Sequence, residues 1–322
     1  MKKLLCVSLA LLVLCSPAAA GTLGIISPSS CMKSEEILSG DMILRSHDFT
    51  TKLGAHACEV NGYFAGTDQQ RADDLNAMFR DDSITAVLCT RGGYGTARIL
   101  DKLDYDMIAG HPKPLIGFSD ITALLCVLSE RCGIPVVHGP MLVSLTRDYM
   151  HSDYTLSHFF AGLNGEAVSG EIPMPEGRKL ETLIPGHAEG VIIGGNLTVI
   201  ASLVGTPYEL KAEGALLLLE EVGEKPYRID RMLNQLLQNG LFQRVNGILL
   251  GDFIDCENKD ASADSRAFNL DDVLRHYAEI CGKPVIRGIP AGHGGDNMYL
   301  PFGVHAEMNA NNDGTASVIL GR

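Results

Sequence analysis

The sequence lacks the short motifs that mark many metal and dinucleotide sites. It contains no C-x-x-C and no H-E-x-x-H, and its 10 histidines form no cluster at the spacing of metal ligands. A complete G-x-G-x-x-G, the loop that holds a dinucleotide pyrophosphate, is also missing. We therefore expect neither a metal nor a nucleotide cofactor.

Positive charge is also scarce, because 26 lysines and arginines stand against 39 aspartates and glutamates, a formal net charge of −13. Such an acidic chain is unsuited to nucleic acid or an anionic lipid surface as a partner. Beyond the first 20 residues no apolar run is long enough to span a bilayer, so we expect no stable membrane insertion.

The one long apolar run, Leu4–Cys15, follows Met-Lys-Lys and precedes an Ala-x-Ala exit. This order is typical of a secretory signal peptide over residues 1–20, with cleavage after Ala20. The bulky Leu14 before the cysteine disfavours a lipoprotein signal. Without the leader the formal charge is −15, since both of its lysines are lost. We expect an exported protein, periplasmic in a cell with two membranes.

Seven cysteines follow the leader, an odd and scattered set that is not a disulfide framework. Export permits one or two bridges. The pairs Cys31–Cys58 and Cys256–Cys281 remain open.

Buried strands alternate with helices through the N-terminal half, which predicts a parallel sheet with helices on both faces. The first predicted strand starts at Thr22. Further strands are predicted at Ile84–Cys89, Pro114–Gly117 and Ile134–His138, and helices are predicted at Gln69–Arg80 and Thr96–Leu103. Between residues 31 and 61 the pattern is irregular and predicts a short helix, then a second strand around Met42–Leu44.

A chain of 322 residues favours two domains. We predict a doubly wound N-terminal domain over 21–145, an inter-domain connection over 146–185, and a mixed α/β C-terminal domain over 186–322. Strands predicted in the last of these are Gly214–Glu221, Val245–Leu250 and Pro284–Ile289, followed by a β-hairpin over Pro301–Ile319 with Asn311–Gly314 as its turn.

The stretch Pro114–Leu125 reads as strand, sharp turn and helix, with Ser119 at the apex of the turn. A serine in this position resembles the nucleophile of a strand–turn–helix elbow, where helix backbone N–H groups face a bound ligand. Ile121 stands where the second glycine of G-x-S-x-G would be, so the motif is incomplete. The alternative is that Ser119 or Asp120 only caps the helix.

A glycine-rich loop, Arg91–Gly95, follows the neighbouring predicted strand and should lie at the same edge of the sheet. Its backbone N–H groups, with that of Asp120, suit the oxyanion of an acyl transfer. The alternative is a phosphate cradle, which the incomplete dinucleotide motif disfavours.

A serine nucleophile needs a base, and His293 is the best placed histidine. It follows a predicted strand and is flanked by Gly292 and Gly294, which allow close approach of a ligand. His138 also ends a strand, but it belongs to the same domain as the serine. The alternative for His293, considered alone, is a structural role.

The base needs an orienting acid, and Glu220 and Glu221 end a strand of four leucines. Because side chains alternate along a strand, only one of the two can face the site. We prefer Glu220, the first polar residue after the leucines. A solvated strand end is the alternative for the pair.

Seven motifs in this order resemble the LD-carboxypeptidase family of serine peptidases, whose relatives include the microcin C immunity peptidases. They are Ile26–Pro28, Ala65–Asp68 before Arg71, Arg91–Gly95, Gly117–Asp120, Gly194–Thr198, Leu219–Val222 with Tyr227–Arg228, and Gly292–His293 before Leu300–Gly303. The resemblance implies a triad split across two domains, with Ser119 as nucleophile, His293 as base and later acid, and Glu220 as the orienting acid.

The resemblance also implies that Gly93 and Asp120 donate backbone N–H bonds to the oxyanion, with Gly92 as the alternative to Gly93. The implied reaction removes the terminal D-alanine of a murein tetrapeptide at its L,D bond without a metal, in a homodimer. Arg91 or Arg228 could meet a substrate carboxylate, or either could form a structural ion pair.

Two other functions fit the same scaffold. An immunity-type peptidase would cleave a peptidyl-nucleotide antibiotic, but it needs access to the cytosol, which the leader disfavours. A non-catalytic peptidoglycan-binding protein would have no use for an intact set of Ser119, Glu220 and His293.

Overall fold

The computed structural model describes residues 21–147, 152–166, 169–258 and 267–321. The predicted signal peptide, 1–20, lies outside the described residues. None of the helices in the described part of the chain is long and apolar enough to cross a membrane.

Strands are numbered in chain order: β1 Thr22–Ile26, β2 Thr50–Leu53, β3 Ile84–Cys89, β4 Leu115–Gly117, β5 Val136–His138, β6 Gly170–Glu171, β7 Glu181–Ile184, β8 Gly186–Asn196, β9 Leu216–Val222, β10 Gly247–Ile254, β11 Val285–Arg287, β12 Leu300–Phe302, β13 His305–Ala310 and β14 Ala316–Leu320. The α-helices are α1 Ser34–Ser46, α2 Asp68–Arg80, α3 Tyr105–Gly110, α4 Thr122–Cys132, α5 Asp153–Leu163, α6 Leu197–Leu203, α7 Pro226–Asn239, α8 Leu241–Arg244 and α9 Leu270–Cys281. Short 3₁₀ helices cover Thr96–Lys102, Ser119–Ile121 and Leu142–Leu145.

The chain divides into two compact units. The first comprises the described residues up to 166 with Gly295–Val304, and the second comprises Ser169–Gly294 with the residues from His305 onwards. This division differs from the predicted domains, because α5 belongs to the first unit and β6 and β7 are strands of the second. The segment predicted as a connection therefore contributes to both units.

The first unit contains a six-stranded sheet in the order β12-β5-β4-β3-β1-β2. The strands from β5 to β2 pair in parallel, and only β12 is antiparallel to its neighbour. The carboxyl ends of β1, β3 and β4 thus meet at one edge, as predicted. Their side chains are almost all buried, which suits a parallel sheet covered on both faces.

The helix α2 illustrates how local sequence signals set an element. The Thr67 hydroxyl accepts a bond from the Gln70 backbone, and the Gln70 side chain accepts one from the Thr67 backbone, a complete capping box. Leu75, Met78 and Phe79 form its buried face. The predicted helix is confirmed.

The strand predicted at Met42–Leu44 is wrong, because these residues lie inside α1. Its buried residues Ile37, Gly40 and Leu44 follow helical spacing. The second strand of the sheet comes later, as β2. The predicted hairpin is also shorter than expected: β13 and β14 form it, whereas β12 joins the first sheet.

The second unit contains an eight-stranded sheet in the order β6-β14-β13-β8-β9-β10-β11-β7. Its four central strands, β8 to β11, are parallel, and antiparallel strands flank them. The helices α7 and α9 pack together, and the Tyr277 hydroxyl donates to Asp230 at 2.6 Å. The predicted mixed α/β fold is confirmed.

Cysteine pairing was left open by the sequence. Cys31, Cys58, Cys256 and Cys281 are free thiols in the structure, so neither of the two candidate bridges is formed.

Candidate active site

Ser119 stands at the turn between β4 and α4 with a φ of 63°. A positive φ is uncommon for a residue with a side chain and costs about 1–3 kcal/mol. Phe118 before it is extended, with φ −152° and ψ −170°, so the chain reverses direction at the serine. This is the geometry of a nucleophile elbow, despite the missing second glycine.

Asp120, an alternative helix cap in the sequence, has a different role. Its buried carboxylate accepts bonds from the Ser29 hydroxyl at 2.6 Å and from the Thr96 backbone N–H at 2.9 Å. The Thr96 hydroxyl also donates to the Asp120 carbonyl oxygen. These bonds tie the elbow to the chain segments that follow β1 and the glycine-rich loop.

The glycine-rich loop lies directly against the serine. A Cβ placed on Gly92 would be 2.8 Å from Ser119 Cβ, 2.9 Å from Ser119 Oγ and 3.2 Å from the Asp120 backbone nitrogen. Any side chain at this position would therefore force the serine or the loop to move. Gly93 adopts a φ of 122° and faces Ser30 instead. The structure thus places Gly92 and the backbone nitrogen of Asp120 beside the serine, whereas Gly93 lies against Ser30.

Arg91 lies half-buried at the start of this loop. Its Nε donates to the Gly92 carbonyl at 3.2 Å and its Nη1 to the Cys31 carbonyl at 3.4 Å. These bonds support the loop, and they do not place the guanidinium on a substrate.

Sequence reasoning missed the role of Arg71, a residue of α2 that is only 1% exposed. Its Nη1 donates to the Pro28 carbonyl at 2.7 Å and to the Gly95 carbonyl at 2.8 Å, and its Nη2 pairs with Asp68. One guanidinium therefore holds the turn after β1 against the glycine-rich loop. The only signal in the sequence is that Arg71 closes one of the seven motifs.

In the second unit, the two glutamates that end β9 point in opposite directions. Glu220 is fully buried, and its Oε2 lies 2.7 Å from His293 Nδ1. Glu221 accepts from the Asn196 side chain at 3.0 Å and from the backbone and hydroxyl of Thr198 at 2.8 and 2.7 Å. Burial raises the pKa of Glu221. Glu221 therefore supports the start of α6, and Glu220 supports the histidine.

His293 stands in the loop that follows β11. Gly292 has a φ of 126°, and a Cβ there would be 2.8 Å from Glu220 Oε2, so the glycine is needed for the histidine to reach the carboxylate. Burial lowers the pKa of His293, but the charge and hydrogen bond of Glu220, with the charges of Glu221 and Asp252, outweigh it and raise the pKa. A neutral imidazole that donates Nδ1–H to Glu220 carries its basic lone pair on Nε2.

The two remaining candidates, His138 and Arg228, contact other side chains of the protein. His138 is fully buried between the rings of Phe118 and Phe302, with centroid distances of 5.9 and 5.7 Å. Arg228 is 53% exposed at the start of α7, and its Nη1 lies 3.2 Å from Glu224 Oε2. Within the described residues, no group of three or more histidine, cysteine, aspartate or glutamate side chains could hold a metal.

Comparison with known proteins identifies the family. The model of the LD-carboxypeptidase N-terminal domain matches residues 23–139, and that of the LD-carboxypeptidase C-terminal domain matches residues 189–308. The chain belongs to the LD-carboxypeptidase family.

Two relatives and one solved structure are similar over nearly the whole chain. A Bacillus subtilis (strain 168) protein named "Probable murein peptide carboxypeptidase" is 37% identical over 89% of this chain and 88% of its own. The "Murein tetrapeptide carboxypeptidase" of Pseudomonas aeruginosa (strain PAO1) is 35% identical over 90% of this chain and 94% of its own. The structure of MccF in complex with glutamyl sulfamoyl guanosine is 25% identical, covers 95% of this chain and 98% of its own, and has a TM-score of 0.83.

This LD-carboxypeptidase is a serine-type carboxypeptidase, a hydrolase with a two-domain fold. Ser119 lies in the region that matches the N-terminal family model. Glu220 and His293 both lie in the region that matches the C-terminal family model.

Proposed function

We propose that this LD-carboxypeptidase releases the terminal D-alanine of murein tetrapeptides by hydrolysing the L,D peptide bond. The observation that carries the proposal is the bond between His293 Nδ1 and Glu220 Oε2, which prepares a histidine to act as a base. The elbow geometry of Ser119 supplies a nucleophile of the kind that such a base activates. The name of the Pseudomonas aeruginosa relative supports a tetrapeptide as the substrate.

In the proposed reaction, the Ser119 hydroxyl attacks the carbonyl carbon of the L-centre while His293 Nε2 takes its proton. The tetrahedral intermediate collapses, and the same proton passes to the nitrogen of the departing D-alanine. A water molecule then gives a proton to His293 and attacks the acyl-enzyme, which frees the tripeptide carboxylate and returns the proton to Ser119. Glu220 orients the imidazole and stabilises its charged form.

Backbone N–H groups of Gly93 and Asp120 are the proposed donors to the oxyanion, with Gly92 as the alternative to Gly93. The close approach of Gly92 to Ser119 supports a donor from this loop, because it brings the loop backbone next to the proposed nucleophile. The hydrogen bonds of the Asp120 carboxylate hold its own N–H in position.

Recognition of the substrate carboxylate is proposed for Arg91 or Arg228. Both guanidinium groups have partners within the protein, so either role requires an exchange of those contacts. We further infer a homodimer, and export through the leader at 1–20. Sedimentation of the purified protein and cell fractionation test these two inferences.

The decisive experiment compares wild-type protein with Ser119→Ala on a defined disaccharide tetrapeptide, with D-alanine release followed by mass spectrometry. We expect turnover to fall by about 10⁴-fold or more, because the nucleophile is lost. Ser46→Ala, an exposed serine at the end of α1, is the matched control and should retain activity. Retained turnover in Ser119→Ala would refute the proposal, and so would inhibition by a chelator that added metal reverses.

The likeness to MccF favours a second candidate, an immunity-type peptidase that acts on a peptidyl-nucleotide antibiotic. The same assay distinguishes the two functions when a peptidyl sulfamoyl nucleoside replaces the muropeptide. Faster release of the nucleoside than of D-alanine would favour the second candidate. Tetrapeptide binding without any turnover would instead indicate a non-catalytic binding protein.

A further inference from the structure

An ion pair that the reaction scheme does not use lies beside the His293 loop. Arg178 Nη2 is 2.7 Å from Asp252 Oδ1, and Arg178 Nη1 is 3.4 Å from Asp252 Oδ2. The two side chains are only 27% and 13% exposed, so solvent screens this pair less than a surface ion pair. Arg178 also donates to the Gly288 carbonyl at 3.4 Å, in the segment that leads from β11 to the histidine.

Asp252, a residue of β10, contacts the histidine loop on both sides of His293. Its backbone N–H donates to the Ala291 carbonyl at 2.9 Å. A Cβ on Gly294 would lie 2.2 Å from Asp252 Oδ2, so the carboxylate rests directly against the backbone of Gly294.

The residue before it, Gly251, completes this packing. A Cβ there would be 2.4 Å from the Ala291 carbonyl oxygen and 3.2 Å from Glu220 Cβ. The backbone of β10 is thus wedged between the triad glutamate and the histidine loop. Asp252 therefore belongs to the packing that separates the loop from Glu220.

We propose that Arg178 and Asp252 form a positioning pair, which holds the backbone on either side of His293 and keeps the imidazole on Glu220. This inference deepens the proposed function and rests on the assignment of His293 as the base. It concerns two residues that do not touch the reacting atoms.

The pKa of His293 distinguishes this positioning role from a merely structural one. Three carboxylates raise the pKa of His293, those of Glu220, Glu221 and Asp252. Of these, Asp252 is the one that pairs with an arginine. Loss of the Asp252 charge should lower the pKa of His293, whereas loss of the Arg178 charge leaves the aspartate uncompensated and should raise it.

The test uses Asp252→Asn and Arg178→Gln in the full chain, with Glu213→Gln as the control. Glu213 is an exposed acid paired with Arg244 in the same unit. The imidazole signal of His293, assigned from its absence in His293→Gln, is titrated by NMR, and kcat and KM are measured across the pH range. Thermal midpoints show which variants are folded.

We expect the NMR titration and the low-pH limb of kcat/KM to move to lower pH in Asp252→Asn and to higher pH in Arg178→Gln. In both variants kcat should fall by about 10- to 100-fold, as for a misplaced catalytic group, with a smaller change in KM. The control should match wild type. Asp252→Glu, which restores the charge, should return the titration towards the wild-type position.

Equal titrations in wild type and both variants, or shifts in the same direction, would overturn the positioning pair. That result is separable from failure of the proposed function, because the NMR titration does not depend on turnover. If Ser119→Ala remained active, the reaction scheme would fail whatever the titrations showed. If Ser119→Ala were inactive and the titrations were unchanged, only the positioning pair would fail.

Discussion

Glu220 Oε2 and His293 Nδ1 lie 2.7 Å apart although 73 residues separate them in the chain. Glu220 is completely buried, and a buried carboxylate without a partner is costly. The histidine supplies a hydrogen-bond donor and, when protonated, a compensating charge. Gly292 makes the approach possible, since any side chain at that position would collide with the carboxylate. The pair therefore depends on the burial of Glu220 in its strand and on the positive φ of Gly292.

The pH dependence of activity should reflect this pair. Burial lowers the pKa of His293, but Glu220 and the nearby carboxylates raise it by more, and only the neutral imidazole can accept a proton. We expect the rising limb of kcat/KM to lie above the usual histidine value of about 6.5. The measurement is kcat/KM from about pH 5 to 9. A limb below the usual value would contradict the raised pKa.

Glu220→Gln removes the charge and keeps the shape of the side chain. We expect kcat to fall by about 10³- to 10⁴-fold, because the amide no longer selects the productive tautomer or stabilises the imidazolium. The rising limb of the residual kcat/KM should move to lower pH, since the main charge that raises the pKa of His293 is gone. An unchanged limb would show that Glu220 does not act on the base.

Gly92→Ala should impair catalysis without unfolding the protein. The new Cβ would lie 2.8 Å from Ser119 Cβ, so the serine or the loop must move. We expect kcat to fall by about 100-fold, the cost of misplacing a catalytic group by about 1 Å. Gly110→Ala is the control, because a Cβ at Gly110 meets no atom within 4 Å. Equal activity of the two variants would show that the serine tolerates displacement.

Arg71→Met should destabilise the fold. The change leaves the carbonyls of Pro28 and Gly95 without this buried donor, and we expect a loss of about 3 kcal/mol in the free energy of unfolding. Arg80→Met is the control on the same helix, where the arginine is 60% exposed and its pairing with Asp104 contributes at most about 1 kcal/mol. Urea denaturation measures both. Equal losses would mean that the Arg71 bonds contribute little.

Local sequence patterns predicted those helices and strands that a few neighbouring residues are enough to specify. The capping box of α2, the buried run of β3 and the leucines of β9 each specify their own structure, and the predictions there are confirmed. The prediction at Met42–Leu44 failed because a short apolar run fits a strand and a helix equally well. Packing decided in favour of α1.

The pairing of strands was harder to predict from the sequence than the strands themselves. Pro301 and Phe302 were predicted as the start of a terminal hairpin, yet they pair with β5 in the first sheet. No local pattern encodes that choice, because alternation along a strand shows which face is buried and not which neighbour it joins.

The sequence by itself determined the family, through seven motifs in order, and the residue types available for chemistry. It also determined where a serine at a strand–helix turn and a histidine between glycines could occur. Only the tertiary structure decided that Glu220, and not Glu221, meets His293, that Arg71 holds the glycine-rich loop, and that Arg178 and Asp252 lie against the histidine loop. These contacts join residues far apart in the chain, and their geometry depends on strand register and burial, which no local pattern contains.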